Sequence, residues 1–600
     1  MEGNSLAKHF KARKDLFIGI DLGSFQSVVS TFSPQKLTIP IVIPNRLANA
    51  ATPSIIYYGT APREIGEEAE GKLTRDPYNT VMHFCSLAGA SLADIERLRE
   101  RFEYTFHNEV VGNPEEPTTL LSIFFADEPV EVPLENCIAH FLKELYHLAI
   151  LSSGETIASA DTHVSGTVVS IPTFVTEMQR KILYRACKIA NLKNVSLVSH
   201  ADAVLNWWIH RTRPHIVEYL SLDYTSPSFN LGTGQRILSS ASPTTHGVPF
   251  PPSPVHFAIV DIGHAQSTIQ ILVIPPTDAS SVAPMVKSIA EECNSELGTY
   301  DMISVLTKHC LSVWNNKNGV YLSSNSRQGV RLFHACSKAL KDLSGLKEST
   351  IDLEAFVDED NFRYTIRREL FERLCEPLKF RLEKLMVCAL VSAIKNETSL
   401  TSWTDLFAIE IVGGGCRIPF VQQCLIQPYL QLAFEEFNEP VTETTIESYK
   451  KAILRKTLDG NSSVAMGAAL YAADSVYSKF AMEDLAASTS PDEDISSKMP
   501  PANFVDPSYR KFNEPTAKQQ DYEAIRLKES RKLEKWFEEK DLLESKYRQV
   551  FHDLESFILD IKRAMKGPYS ALLSYETSEA LEVAENWIQN SEDCNMRPPL

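Results

Sequence analysis

The sequence predicts an α/β body followed by a separate α-helical segment. Three observations predict it. Apolar runs of strand length alternate with helical stretches from residue 15 to about 480. Three of those strands run into glycine-bearing turns, and from residue 518 the pattern becomes one long apolar stripe at helical spacing. With 600 residues, 44% hydrophobic and 23% charged, the chain can bury a large core over two to four domains.

The elements follow in order. Residues 1–14 are a basic N-terminal extension with no apolar core, so a secretory leader is not expected. Residues 15–33, "DLFIGIDLGSFQSVVSTFS", read as strand, glycine turn, strand. "IPIVIPN" and "TPSIIYY" continue that sheet. Residues 133–150 carry apolar side chains at helical spacing behind a proline, "GTVVSIP" (166–172) is a buried strand, and 176–192 is a helix. Residues 211–256, rich in Ser, Thr, Pro and Gly, read as an exposed insertion. The α/β pattern resumes at 257, with helical stretches at 329–345 and 366–396. Residues 486–516 read as a polar, Pro-rich linker. The helix from 518 lines up Leu533, Trp536, Phe537, Leu543, Tyr547, Val550, Leu554, Phe557, Ile558 and Ile561 on one stripe, stops at Gly567-Pro568, and is followed by a second helix, so that 518–592 form a helical domain. An intramolecular bundle, a partner contact and self-association all fit such a stripe. No repeat of fixed period is present.

A net charge of −18 argues against a sequence-independent grip on nucleic acid or on an anionic membrane. The 11 cysteines are odd in number and scattered without a C-x-x-C pair, which speaks against a zinc ribbon or a disulfide framework. No run of about 18 apolar residues marks a membrane span. A cytoplasmic location is expected.

The chemistry sits in the glycine turns: "GIDLGSFQS" (19–27), "VDIGHAQST" (260–268) and "EIVGGGCRIP" (410–419). A strand ending in Asp-x-Gly can present backbone N–H groups to a phosphate. Singly, each reads as a structural turn; in this order and at these separations they are specific together. They resemble the two phosphate loops and the adenosine loop of the actin-like ATPases, and more closely those of the heat shock protein 70 superfamily. "VDIGH", the segment 170–192 and residues 43–81 are most similar to its 110-kDa heat-shock subfamily. The resemblance covers roughly 15–480 and resumes at about 520–590, which looks like the family's helical lid.

That resemblance implies a two-lobed actin-like (ribonuclease-H-like) ATPase domain with ATP or ADP and Mg between the lobes. Asp21 and Asp261 match two aspartates that hold Mg through waters. Gly23 and Gly263, with Ser24 beside the first, match groups that face phosphate. Gly413, Gly414 and Arg417 match the adenosine loop, and Lys341 and Ser344 flank the nucleoside. Each also has a plainer reading: Asp21 and Asp261 as turn caps, Lys341 as a solvated helix charge.

The departures carry more weight. A lysine that orients the attacking water is replaced by Cys85, and a glutamate by His200. The second phosphate loop reads Gly263-His264-Ala265-Gln266-Ser267-Thr268, so its catalytic threonine and aspartate are gone. Asn461 replaces an aspartate near the ribose, and Ser24-Phe25 replace two threonines. Losing one pre-placed charge or donor costs about two to three orders of magnitude in rate. Turnover is therefore expected to be negligible, nucleotide binding weak or absent, and no catalytic residue is assigned. Cys85 and His200 also suit buried structural side chains, and the pair Trp207-Trp208 suits packing rather than base stacking. The family's peptide-gripping β-sandwich has no counterpart in 486–516, which are too few residues. The 110-kDa subfamily also promotes nucleotide exchange by embracing a heat shock protein 70 with its ATPase domain and helical bundle, the two parts this chain keeps. That chaperone is the expected partner, with a scaffold lacking any nucleotide function as the alternative. The replaced catalytic groups argue against a third reading, an active ATPase chaperone.

Overall fold

The computed structural model describes residues 15–112, 119–126, 128–159, 163–221, 229–230, 235–236, 254–275, 286–319, 321–401, 405–437, 442–488, 517–566 and 579–586. The N-terminal extension, nearly all of 222–253 and the segment 489–516 lie outside the described residues.

Two sheets share one five-strand topology. The first contains β1 (Leu16–Asp21), β2 (Gln26–Phe32), β3 (Ile41–Ile43), β6 (Val164–Ile171) and β7 (Val195–Ser199); the hairpin β4 (Thr119–Phe125) and β5 (Glu128–Pro133) belongs to a separate three-stranded sheet. Its order is β7-β6-β1-β2-β3, and the two-residue strand Thr52–Pro53 pairs with the start of β2 off this path. β1, β2 and β3 pair antiparallel, and β6 and β7 add in parallel. The second contains β8 (Val255–Ile262), β9 (Ser267–Ile274), β10 (Lys287–Asn294), β13 (Leu406–Val412) and β14 (Leu454–Arg455), in the order β10-β9-β8-β13-β14 with the same senses of pairing. The body is therefore a duplicated α/β unit, although its sequence shows no repeat. This is the two-lobed architecture expected.

Each sheet is covered on both faces, which is why its strands are apolar throughout rather than alternating. Along β1, Ile18 and Ile20 join one core cluster while Phe17 joins the other. Along β8, Val260 and Ile262 face one way, Phe257 and Ile259 the other. Between the lobes lie α4 (His200–Ser221), whose last turns run into the stretch read as an insertion, and α9 (Ser463–Ser488). These helices approach so closely that a Cβ on Gly467 would lie 1.7 Å from the Ala203 carbonyl oxygen. Trp207 and Trp208 are buried there, Trp208 stacked on Phe257 at 4.3 Å.

On the other faces lie α2 (Leu134–Ser152) and α3 (Glu177–Ile189) in lobe one, and α7 (Glu376–Asn396), packed on α8 (Pro419–Phe437), in lobe two. Here one expectation fails: 366–396 is not one helix. Residues Asp360–Arg367 are a strand, β12, paired with β11 (Glu348–Val357), and the helix Arg368–Leu374 ends before α7 begins. Pro377 sits in the first turn of α7, where its missing N–H needs no acceptor, and it stops a continuous helix.

The lobes meet again through α1 (Leu92–Arg101), α5 (Thr299–Asn318) and α6 (Arg327–Gly345). Phe102 meets Tyr300 edge-on at 4.8 Å, and Tyr104 stacks on Phe333 at 5.1 Å. Arg101 donates to both carboxylate oxygens of Asp301 and to the Ala265 and Ser295 carbonyls.

The long C-terminal helix, α10 (Ala517–Lys566), lies on lobe one. Phe537 is fully buried against Tyr58, Phe125 and Trp536. Arg63 holds Glu534 through two hydrogen bonds of 3.0 and 3.2 Å and also binds Asp541. Arg185 and Arg526 converge on the buried Glu135. The stripe read from the sequence is thus split. Leu533, Trp536 and Phe537 face the body, while Leu543, Val550 and Phe557, spaced by seven, remain exposed. Ile558 is buried, and Lys562 pairs with Glu585 of the short helical segment 579–586.

Candidate functional site

β1, β8 and β13 end in the three glycine turns, and both lobes contribute to the cleft where those ends meet. The cleft holds about 450 Å³, within the range of small-molecule sites. All ten residues singled out from the sequence line it: Asp21, Gly23, Ser24, Asp261, Gly263, Lys341, Ser344, Gly413, Gly414 and Arg417. Phe25, His200, His264, Ala265, Gln266 and Asn461, where the sequence departs from the pattern it resembles, line it as well. Cys85 does not. It is buried in the turn Phe84–Leu87, its thiol directed at the Leu22 carbonyl and pushed up to about 12 by burial and by Asp21.

The end formed by the first two turns is occupied by the chain itself. Phe25 and His264, each one or two residues beyond its turn glycine, stack at 4.3 Å across the cleft, and His264 Nδ1 is 3.1 Å from the Thr299 hydroxyl. The Gly23 N–H donates to Ser27 Oγ, and the Gly263 N–H to the Gln266 carbonyl. Gln266 Nε2 is 3.2 Å from His200 Nδ1. His200 Nε2 lies 3.3 Å from Asp21 Oδ1 without making a hydrogen bond.

The electrostatics there are unlike those of a phosphoryl-transfer site. Burial, reinforced by Asp261, pushes the Asp21 carboxyl up to about 8, and burial raises Asp261 to about 6. Burial lowers His200 to about 4; burial, with Arg101 and Lys341, lowers His264 to about 3. Both imidazoles are neutral at pH 7, so neither supplies a fixed positive charge of the kind phosphoryl transfer uses. Among the lining residues the only Lys or Arg side chains are Lys341 and Arg417.

The third turn is open. Gly413 has φ +83°, and a Cβ there would lie 2.4 Å from Asp261 Oδ1, so this turn packs directly against the end of β8. Gly414 has nothing within 4 Å of where a Cβ would stand, leaving bare backbone toward the cleft beside Arg417. A flat ring can lie on such a surface, and a guanidinium can stack on it. Sequence reasoning missed Asp459 and Gly460. Asp459 accepts from the Asn461 and Ser462 N–H groups, and Gly460 packs on Gly413. The Asp-Gly pair was itself a turn signal. It missed Arg101 too, because its partners lie about 165 to 200 residues away.

Comparison with known proteins agrees with this geometry. The family described as "Hsp70 protein" matches residues 17–220 and 244–487. The chain belongs to the Hsp70 family. Heat shock protein hsp88 of Neurospora crassa is 26% identical over 408 residues, covering 68% of this chain and 49% of that protein. A heat shock 70 kDa protein of Emericella nidulans is 24% identical over 446 residues, 74% of this chain and 59% of the relative. A ribosome-associated molecular chaperone of Zygosaccharomyces rouxii is 24% identical over 410 residues, 68% of this chain and 56% of that relative. This Hsp70-family chain therefore spans about half the length of the relatives it matches. The helix α10 falls outside the segment matched by the family. The family binds ATP or ADP with Mg. In this chain the bare Gly414 backbone beside Arg417 leaves room for a flat ring, while Phe25 and His264 stack between the first two turns. Among the described residues no helix is long and apolar enough to cross a membrane. The ten described cysteines are all free thiols.

Proposed function

We propose that this chain is a co-chaperone of the 110-kDa heat-shock type, which promotes ADP release from an active heat shock protein 70 and does not hydrolyse ATP itself. The observation that carries the second half is the Phe25–His264 stack between the two Asp-x-Gly turns. Hydrolysis depends on fixed charges and donors around the transferred phosphoryl group. At the corresponding positions this chain has Cys85, a buried thiol outside the cleft lining, His200, which is neutral, and Gln266 and Thr268. The exchange role is supported by what the chain retains: a two-lobed body and a long helix clasped to lobe one by buried ion pairs. An exchange factor works through surface rather than turnover, so loss of the catalytic groups leaves such a role intact.

The test is release of fluorescently labelled ADP from a purified, active heat shock protein 70, with and without this protein. The expected result is a release rate at least about tenfold higher at equimolar protein. No acceleration with any heat shock protein 70 from the same organism would remove the exchange role. The scaffold alternative draws on the exposed Leu543, Val550 and Phe557. It would be favoured if those residues, and not the cleft, governed which proteins co-purify.

A further inference from the structure

We infer that the cleft is shaped for a purine nucleoside or its monophosphate without metal, and that Phe25 and His264 stand where a metal-bound triphosphate would otherwise lie. The inference rests on the reading of this cleft as a nucleoside site and concerns which ligand that site takes.

The two ends of the cleft differ in kind. At the third turn, Gly414 offers open backbone beside the Arg417 guanidinium. At the first two turns, three features exclude a polyphosphate. Both turn glycines already donate their N–H groups within the chain, to Ser27 and to the Gln266 carbonyl. The space between the turns holds two stacked rings, one from each lobe, with His264 held by Thr299 and backed by Tyr300 edge-on at 5.5 Å. The acidic side chains Asp21 and Asp261 also face that end, with no Lys or Arg among the lining residues except Lys341 and Arg417. A triphosphate would have to displace the stack and would meet carboxyl groups. A nucleoside needs neither change, and the two lining cations suffice for a single phosphate.

The stack also joins the lobes. The Arg101–Asp301 clasp is a second link between them. A preformed site of this kind loses less of its binding free energy to ordering the protein.

The test is calorimetric titration of the purified full chain with adenosine, AMP, ADP and ATP, each with and without Mg. Adenosine or AMP is expected to bind at least about tenfold more tightly than ATP with Mg, and Mg is expected not to strengthen ATP binding. The double substitution Phe25→Ser and His264→Gly should raise affinity for ATP relative to adenosine at least about tenfold. Tighter binding of ATP with Mg than of AMP by the unsubstituted protein would overturn the inference while leaving the nucleoside site in place. That comparison needs no variant and stands if the double variant does not fold. Failure of all four compounds to bind at millimolar concentration would instead overturn the nucleoside site itself, and this inference with it.

Discussion

Replacing Glu534 by Gln should release the long helix from lobe one. The carboxylate is buried, its side chain 4% exposed, and it faces an Arg63 side chain only 1% exposed. Burial alone would raise its pKa, but Arg63 and then His140 overcome that and hold it at about 2, against an ordinary value of 4.5. A carboxyl held that far down gains about 3 kcal/mol from ionisation on folding. Breaking one side of a buried ion pair costs about 3–5 kcal/mol by an independent measure. The lower figure applies here, because Arg63 keeps Asp541, whose Oδ2 is 2.8 Å away. About 3 kcal/mol corresponds to roughly a hundred-fold in the docking equilibrium. The assay is hydrogen–deuterium exchange of peptides covering 530–545, which should exchange roughly a hundred-fold faster in the variant. The sign of the pH effect follows from the lowered pKa. The stabilisation is complete above pH 4.5 and is lost as pH falls toward 2, so the difference between the two proteins should close over that window. Unchanged exchange at pH 7, or a difference that persists below pH 2, would refute the reasoning.

Gly413→Ala should destabilise the protein by about 2 kcal/mol or more, since a Cβ there meets Asp261 and the Ile262 carbonyl at a positive φ. Gly414→Ala should change stability by less than about 0.5 kcal/mol and weaken nucleoside binding, read by paired thermal melts and titrations. Arg101→Ala strips Asp301 and the Ala265 carbonyl of a shared donor and should cost about 3 kcal/mol, seen as an earlier urea transition. Phosphate release with ATP and Mg should match the buffer background. A measurable rate that vanishes on Asp261→Ala would contradict the assignment of a non-hydrolysing cleft.

Much was legible without coordinates because it depends on local pattern. The three turns announced themselves as Asp and Gly residues at the ends of apolar runs. The eight residues drawn from them, with Lys341 and Ser344 taken from the family resemblance, line one cleft although they span nearly 400 positions. The resemblance to a known family, rather than local pattern, pointed to the catalytic positions at which this chain departs. How the residues now standing there pack was not legible. That Phe25 and His264 touch requires two turns about 240 residues apart to face each other, a consequence of how the lobes close. The equal topology of the two sheets left no sequence repeat, because burial constrains only that a strand be apolar, not which apolar residue it uses. The stripe from 518 shows the same division. Helical periodicity identified its apolar face, but only the packed structure decided that Phe537 is covered while Val550 is bare. Periodicity reports the order of side chains along one helix. Burial depends on where that helix meets another surface, and here Arg63, Glu135 and Arg185, hundreds of residues away, fix the meeting point.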